Sequence, residues 1–101
     1  MLIKFSGLLK AEVTREWETN ASAYNVADLI GKLINKYGRE FEIKIMTDGK
    51  IRWNILILIN GHLLFPIDIS KSTLDLSINE RIMKTKLHED DIVNIFELVC
   101  G

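Results

Sequence analysis

Apolar residues recur at steps of three and four between Val26 and Tyr37, with Val26, Leu29, Ile30, Leu33, Ile34 and Tyr37 falling in one stripe. That period belongs to one face of an amphipathic helix. Asn25 stands at the N-cap position, and Asp28, three residues on, complements the positive helix end. Gly38 stands just past the last apolar position, where a left-handed C-cap is favoured. Lys32, Asn35 and Lys36 take the wet side. The spacing predicts a helix over residues 26–37.

Elsewhere the pattern changes towards a period of two. Leu2-Ile3-Lys4-Phe5-Ser6 alternates as a half-buried strand does, and Gly7 permits a bend after it. Residues 13–19 alternate less cleanly, with Val13, Arg15 and Trp17 on one side, and read as the second arm of an N-terminal hairpin. Residues 41–46 fit either a short extended piece or a helical turn. Asp48-Gly49 is a turn signal. Residues 53–59 then run strongly apolar, Ile55, Ile57 and Ile59 on one face and Leu56 and Leu58 on the other. A strand apolar on both faces belongs in the middle of a sheet. Asn60-Gly61 is a hairpin signal, residues 62–65 form a return strand, and Pro66 ends it or puts it at an edge. Residues 67–83, where Leu74, Leu76 and Ile78 alternate, hold either an extra strand pair or a short helix-bearing loop. Glu89-Asp90-Asp91 is a polar turn, and residues 92–96 are a last strand.

The element order is thus strand, strand, helix, strand, short strand, strand. One helix crossing one sheet buries both apolar stripes, and a single crossover brings the first and last strands together in its middle. The expected class is α+β: a β-grasp (ubiquitin-like) domain over residues 1–101, with a mixed sheet of four to five strands packed against one main helix. An insertion is expected at about 66–83 and a flexible tail at 97–101.

Composition narrows the function. With 101 residues and 48% hydrophobic content, the chain supports one domain with one modest core. The formal net charge of −1 and the scatter of the lysines and arginines speak against a nucleic-acid partner. The single cysteine excludes an internal disulfide and points to the cytoplasm. No signal peptide is read at the start, and the longest apolar run, Ile55 to Ile59, is far too short to span a membrane.

Candidate chemistry is sparse. His62 and His88 each stand beside a turn, without the further ligands that a metal site needs. Glu89, Asp90 and Asp91 read as a solvated turn. No serine or cysteine sits in a nucleophile-elbow setting, and no glycine-rich phosphate loop is present. Catalytic residues and bound cofactors are therefore not expected, and the chain is not expected to be an enzyme. Trp17 and Trp53 are either core or edge packing or binding hot spots. Leu63, Leu64 and Phe65 form either an apolar docking patch or core packing.

Three segments together resemble a known family. Asp48-Gly49-Lys50-Ile51-Arg52-Trp53-Asn54-Ile55-Leu56-Ile57-Leu58-Ile59-Asn60-Gly61-His62 is similar to the central signature of the MoaD/ThiS sulfur carriers. Leu87-His88-Glu89-Asp90-Asp91-Ile92-Val93-Asn94-Ile95-Phe96 is similar to their second signature, and the helix closed by Gly38 sits where theirs does. The resemblance implies that a ubiquitin-activating-type (MoeB/ThiF-like) enzyme uses ATP to adenylate the C-terminal glycine, here Gly101. A sulfur donor then makes the thiocarboxylate, and the carrier docks on a synthase subunit to deliver sulfur for a molybdopterin or thiamine type cofactor or for tRNA. It places Gly101 and Cys100 at the activated end, and Leu98, Val99, Phe96, Leu64 and Phe65 at the partner surface. Cys100 stands where the family carries the first glycine of its terminal pair, and the tail is about one residue shorter than the family spacing. The implied alternative is a non-catalytic β-grasp interaction module that has lost C-terminal activation.

Overall fold

The computed structural model describes residues 1–6, 13–52, 54–64 and 76–97. The predicted helix is α1, Val26–Tyr37, capped as its sequence requires: the Asn25 side chain accepts from the Asp28 amide at 2.8 Å. Gly38, at φ 87°, donates its N–H to the Ile34 carbonyl at 2.7 Å and closes the helix. The same glycine opens a second helix, α2, Arg39–Ile45, because its carbonyl accepts from Glu42 at 3.3 Å. Only glycine turns the chain this sharply at positive φ without strain. Residues 41–46 are therefore helical up to Ile45. Phe41 and Ile45, one turn apart, are buried, whereas Ile43 is 54% exposed, which a strand with all three on one face would not give.

Among the described residues the strands are β1, Leu2–Ser6; β2, Glu18–Asn20; β3, Met46–Thr47; β4, Lys50–Ile51; β5, Ile55–Ile59; β6, His62–Leu63; and β7, Ile92–Glu97. Five of them form one mixed sheet in the order β2-β1-β7-β5-β6, with β1 and β7 parallel and the other pairs antiparallel. Strands β3 and β4 make a separate small hairpin. The first and last strands lie side by side with β7 in the centre, which is the β-grasp order. A third helix, α3, Leu76–Lys84, precedes β7. Helix, rather than a strand pair, is thus what this part of the region after Pro66 adopts. The N-terminal hairpin is shorter than 13–19 suggested: Arg15 has φ 56°, and pairing begins only at Glu18, opposite Lys4. Glu97, placed in the tail by its sequence position, is the last residue of β7.

One core lies between the sheet and the helices. Ile3 and Phe5 of β1, Ile55 and Ile57 of β5, and Val93 and Ile95 of β7 meet Leu29 and Leu33 of α1 and Phe41 and Ile45 of α2. Phe5, Tyr37 and Phe41 pack edge-on and tilted, at ring-centroid separations of 5.5 to 6.3 Å. The Tyr37 hydroxyl donates to the Glu16 carboxylate, which Lys36 also approaches at 3.3 Å. That hydroxyl, with help from Lys36, holds the Glu16 carboxyl below its ordinary pKa, while burial and the same carboxylate push Tyr37 up. Among the described residues, no helix is long and apolar enough to cross a membrane.

Two of the turns read in the sequence, Asn60-Gly61 and Glu89-Asp90-Asp91, form one clamp. Asn60 (φ 52°) and Gly61 (φ 82°) make the two-residue turn between β5 and β6. The Asn60 side chain accepts from the Ile92 amide at 2.9 Å and donates to the Asp91 carboxylate at 2.9 Å. Asp91 also accepts from the His88 amide at 2.8 Å. These bonds, the His88 amide foremost and then the Asn60 side chain, hold the Asp91 carboxyl below its ordinary pKa. A carboxylate with a depressed folded-state pKa stabilises the protein above its unfolded value of about 3.9, and that contribution is lost as the pH falls through the folded value. In urea titrations, the advantage of the wild type over Asp91→Asn is expected to be full at neutral pH and to shrink steadily below pH ~4. A pH-independent difference between the two would exclude this role.

Candidate functional site

Strand alternation gives the sheet a second face, opposite the core. The register fixes its rows. Ser6 of β1, Phe96 of β7 and Leu56 of β5 lie abreast. In the next row Glu18, Lys4, Asn94, Leu58 and Leu63 lie abreast across all five strands. Asn20, Leu2 and Ile92 form the third. The apolar members concentrate on the β7–β5–β6 side: Phe96 and Leu58 are half-buried, Leu63 is 39% exposed, and Leu56, at 7%, is the most enclosed. Lys4 and Glu18, of opposite charge, face each other on the β1–β2 side. An apolar half-face bordered by a polar strip is the composition of a protein-docking surface.

Phe96, which the resemblance puts at the partner surface, lies on the sheet face opposite the core, one residue before the end of β7. Leu64 does not join it: its amide donates to the Ile57 carbonyl at 3.2 Å, and its side chain packs against the core cluster. Leu58 and Leu63, adjacent in register, take the place expected of Leu64. Their signal was legible in the sequence, since Leu58 belongs to a strand that is apolar on both faces and Leu63 to the apolar run after the Asn60-Gly61 turn. Leu98, Val99, Cys100, Gly101, Phe65 and Trp53 lie outside the described residues. Trp17, beside the edge strand β2, is 65% exposed.

Ile51 and Arg52, within the segment similar to the central signature, are architectural. Ile51 is buried in the core, and Arg52 ties α2 to the β4–β5 connection: its amide donates to the Ile45 carbonyl at 2.8 Å and its guanidinium to the Ile43 carbonyl at 3.2 Å. Where β7 ends, the Glu97 carboxylate meets the Lys44 ammonium of α2 at 3.6 Å. Among the described residues, no group of three or more His, Cys, Asp or Glu side chains could hold a metal ion. A shallow depression of about 580 Å³ lies between Tyr24, Leu87 and His88. The ammonium that lines it, Lys32, pairs with Asp28 at 3.2 Å and donates to the Ser22 carbonyl.

No protein-family model matches the chain, and no curated protein matches it in sequence. Solved structures do match. A chain of the crystal structure of the Amycolatopsis orientalis BexX/CysO complex superposes with a TM-score of 0.72 at 12% identity, covering 99% of this chain and 97% of that one. The solution structure of small archaeal modifier protein 1 from Methanosarcina acetivorans matches with a TM-score of 0.70 at 22% identity, covering 99% of this chain and 93% of that one. The crystal structure of Sulfolobus solfataricus Urm1 matches with a TM-score of 0.62 at 17% identity, covering 97% of this chain and 100% of that one. These neighbours are ubiquitin-like β-grasp proteins of the sulfur-carrier type. At such identities the likeness is one of fold, and it runs over nearly the whole chain.

Proposed function

We propose that this protein is a sulfur carrier whose terminal glycine, Gly101, is the reacting group, and that partner proteins supply the catalysis. In this reading a ubiquitin-activating-type enzyme of the MoeB/ThiF kind binds ATP and the carrier. A carboxylate oxygen of Gly101 attacks the α-phosphorus, pyrophosphate leaves, and an acyl adenylate forms. A sulfur donor then displaces AMP and leaves the thiocarboxylate, which a synthase uses to sulfurate a precursor of the molybdopterin or thiamine type, or a tRNA base. The carrier needs no acid, base, metal or cofactor of its own for these steps.

The central position of β7 supports this reading best. The strand that leads to the C-terminus is held between β1 and β5, and its last residues run beside the apolar row of Phe96 and Leu56. The sheet face and the root of the segment that leads to Gly101 thereby share one element, β7, which suits transfer between two enzymes. The CysO neighbour is crystallised in a complex with BexX, which agrees with a docking role for this fold.

Intact-mass analysis tests the reading. After incubation with the activating enzyme, ATP and a sulfur source, the protein is expected to gain the mass of one sulfur-for-oxygen exchange. Deletion of Gly101 is expected to abolish that gain, and Cys100→Gly, which restores a diglycine end, to retain it. An unchanged mass with every ubiquitin-activating-type enzyme of the source genome, together with a stable complex that survives loss of Gly101, would establish the interaction-module alternative instead.

A further inference from the structure

Glu97 is an unusual residue for its position. Alternation along β7 sends its side chain to the same face as Val93 and Ile95, the core face, and its register partner is the fully buried Ile55. The Glu97 side chain is accordingly only 9% exposed. A carboxylate withdrawn this far from water is costly unless a cation and hydrogen bonds replace its hydration. Lys44 provides the cation from the last turn of α2, with its side chain 30% exposed. The backbone that carries Lys44 is itself tied down, since Arg52 bonds the carbonyls of Ile43 and Ile45 on either side of it. Ile55, the first residue of β5, donates to the Arg52 carbonyl at 3.1 Å and pairs with Glu97 across the sheet. The circuit β5–Arg52–α2–Lys44–Glu97–β5 is closed.

An ion pair of this kind adds little net stability, because desolvation offsets its Coulombic gain. What it does supply is geometry. In the carrier reading the reacting residue, Gly101, stands four residues beyond Glu97. Four residues reach at most roughly 14 Å, so their root must be accurately placed. We propose that the Lys44–Glu97 pair is a positioning device that fixes where and in which direction the C-terminal segment leaves the sheet. This rests on the carrier reading above, in which the carboxylate of Gly101 must meet its reaction centre.

Two readouts test it on Lys44→Met, Glu97→Gln and the charge-reversed double variant Lys44→Glu/Glu97→Lys. The first does not depend on activation: backbone ¹⁵N relaxation at Glu97, with Ile95 as internal reference. Glu97 is expected to be as ordered as Ile95 in the wild type, to lose order in each single variant, and to regain it in the double variant. The second is the kinetics of adenylation by the activating enzyme. A reacting group misplaced by about 1 Å costs up to 10²-fold, so kcat is expected to fall about tenfold or more in the single variants. The KM for the carrier is expected to change by less than about twofold, since the open face is untouched. The charge reversal is expected to restore kcat. Single variants that fold normally, keep Glu97 ordered and retain kcat would overturn the proposal. So would a rise in KM alone, which would make the pair a docking contact. If the wild type is activated by no enzyme, the carrier reading fails, and the relaxation measurement alone decides whether the pair positions the strand end.

Discussion

Replacing Phe41 with alanine is expected to lower the unfolding free energy by about 3–5 kcal/mol, the range found when a fully buried aromatic ring is truncated. Phe41 has no exposed surface, and its ring packs against both Phe5 of β1 and Tyr37 of α1. With Ile45 it joins α2 to the core that α1 and the sheet make together. Truncation removes the transfer free energy of the ring and leaves a cavity that two helices joined by a single glycine cannot close. Small domains are stable by about 5–15 kcal/mol, so a large fraction of the total is at stake. Urea unfolding at constant m-value is the measurement. Ile43→Ala, two residues away on the exposed side of the same helix, is expected to change stability by less than about 0.5 kcal/mol. A loss below about 1.5 kcal/mol at Phe41 would mean that α2 packs loosely and that its lysine is no fixed reference for the end of β7.

That contrast also shows why residues 41–46 were ambiguous in sequence. Phe41, Ile43 and Ile45 satisfy a period of two, while Phe41 and Ile45 alone satisfy a helical turn. Local propensity does not separate these; Gly38 does, by closing one helix and opening the next through its positive φ. Helix α1 was fully legible because its stripe, its cap and its terminating glycine are all local signals. So was the two-sided apolar strand β5, and with it a place inside the sheet. Strand β2 was read too early in the chain because its limits are set by its partner: pairing starts where Glu18 meets Lys4 and ends where Asn20 meets Leu2.

The candidate site divides along the same line. The face on which Phe96 lies was legible because alternation along β7 is a local rule. Leu64 and Leu63 are neighbours in sequence, and which of them faces the core depends on how β6 registers against β5, information held in the turn geometry of Asn60-Gly61. The Asn60–Asp91 clamp and the Lys44–Glu97 pair join residues far apart along the chain. Each partner reads alone as a turn residue or a surface charge, and only the folded sheet brings them together.

Phe96→Ala is expected to weaken binding to the activating enzyme by about 2 kcal/mol, roughly thirtyfold in Kd, as truncation of a buried aromatic anchor does. Phe96 sits at the end of β7 beside Leu56, within the apolar half-face, and a partner that covers this row must bury the ring. Ile43→Ala, on the exposed side of α2, is expected to leave Kd unchanged and serves as the control away from the sheet face. The informative comparison is with deletion of Gly101. Docking through the sheet face leaves that variant bound but unreactive, whereas Phe96→Ala is reactive but poorly bound, so its activation recovers at high carrier concentration. Calorimetry for Kd and pyrophosphate release for turnover separate the two. Equal affinity of the wild type and Phe96→Ala would remove the open face from recognition. Loss of binding on deletion of Gly101 would place recognition in the tail alone, and the apolar rows of β5, β6 and β7 would then require another explanation.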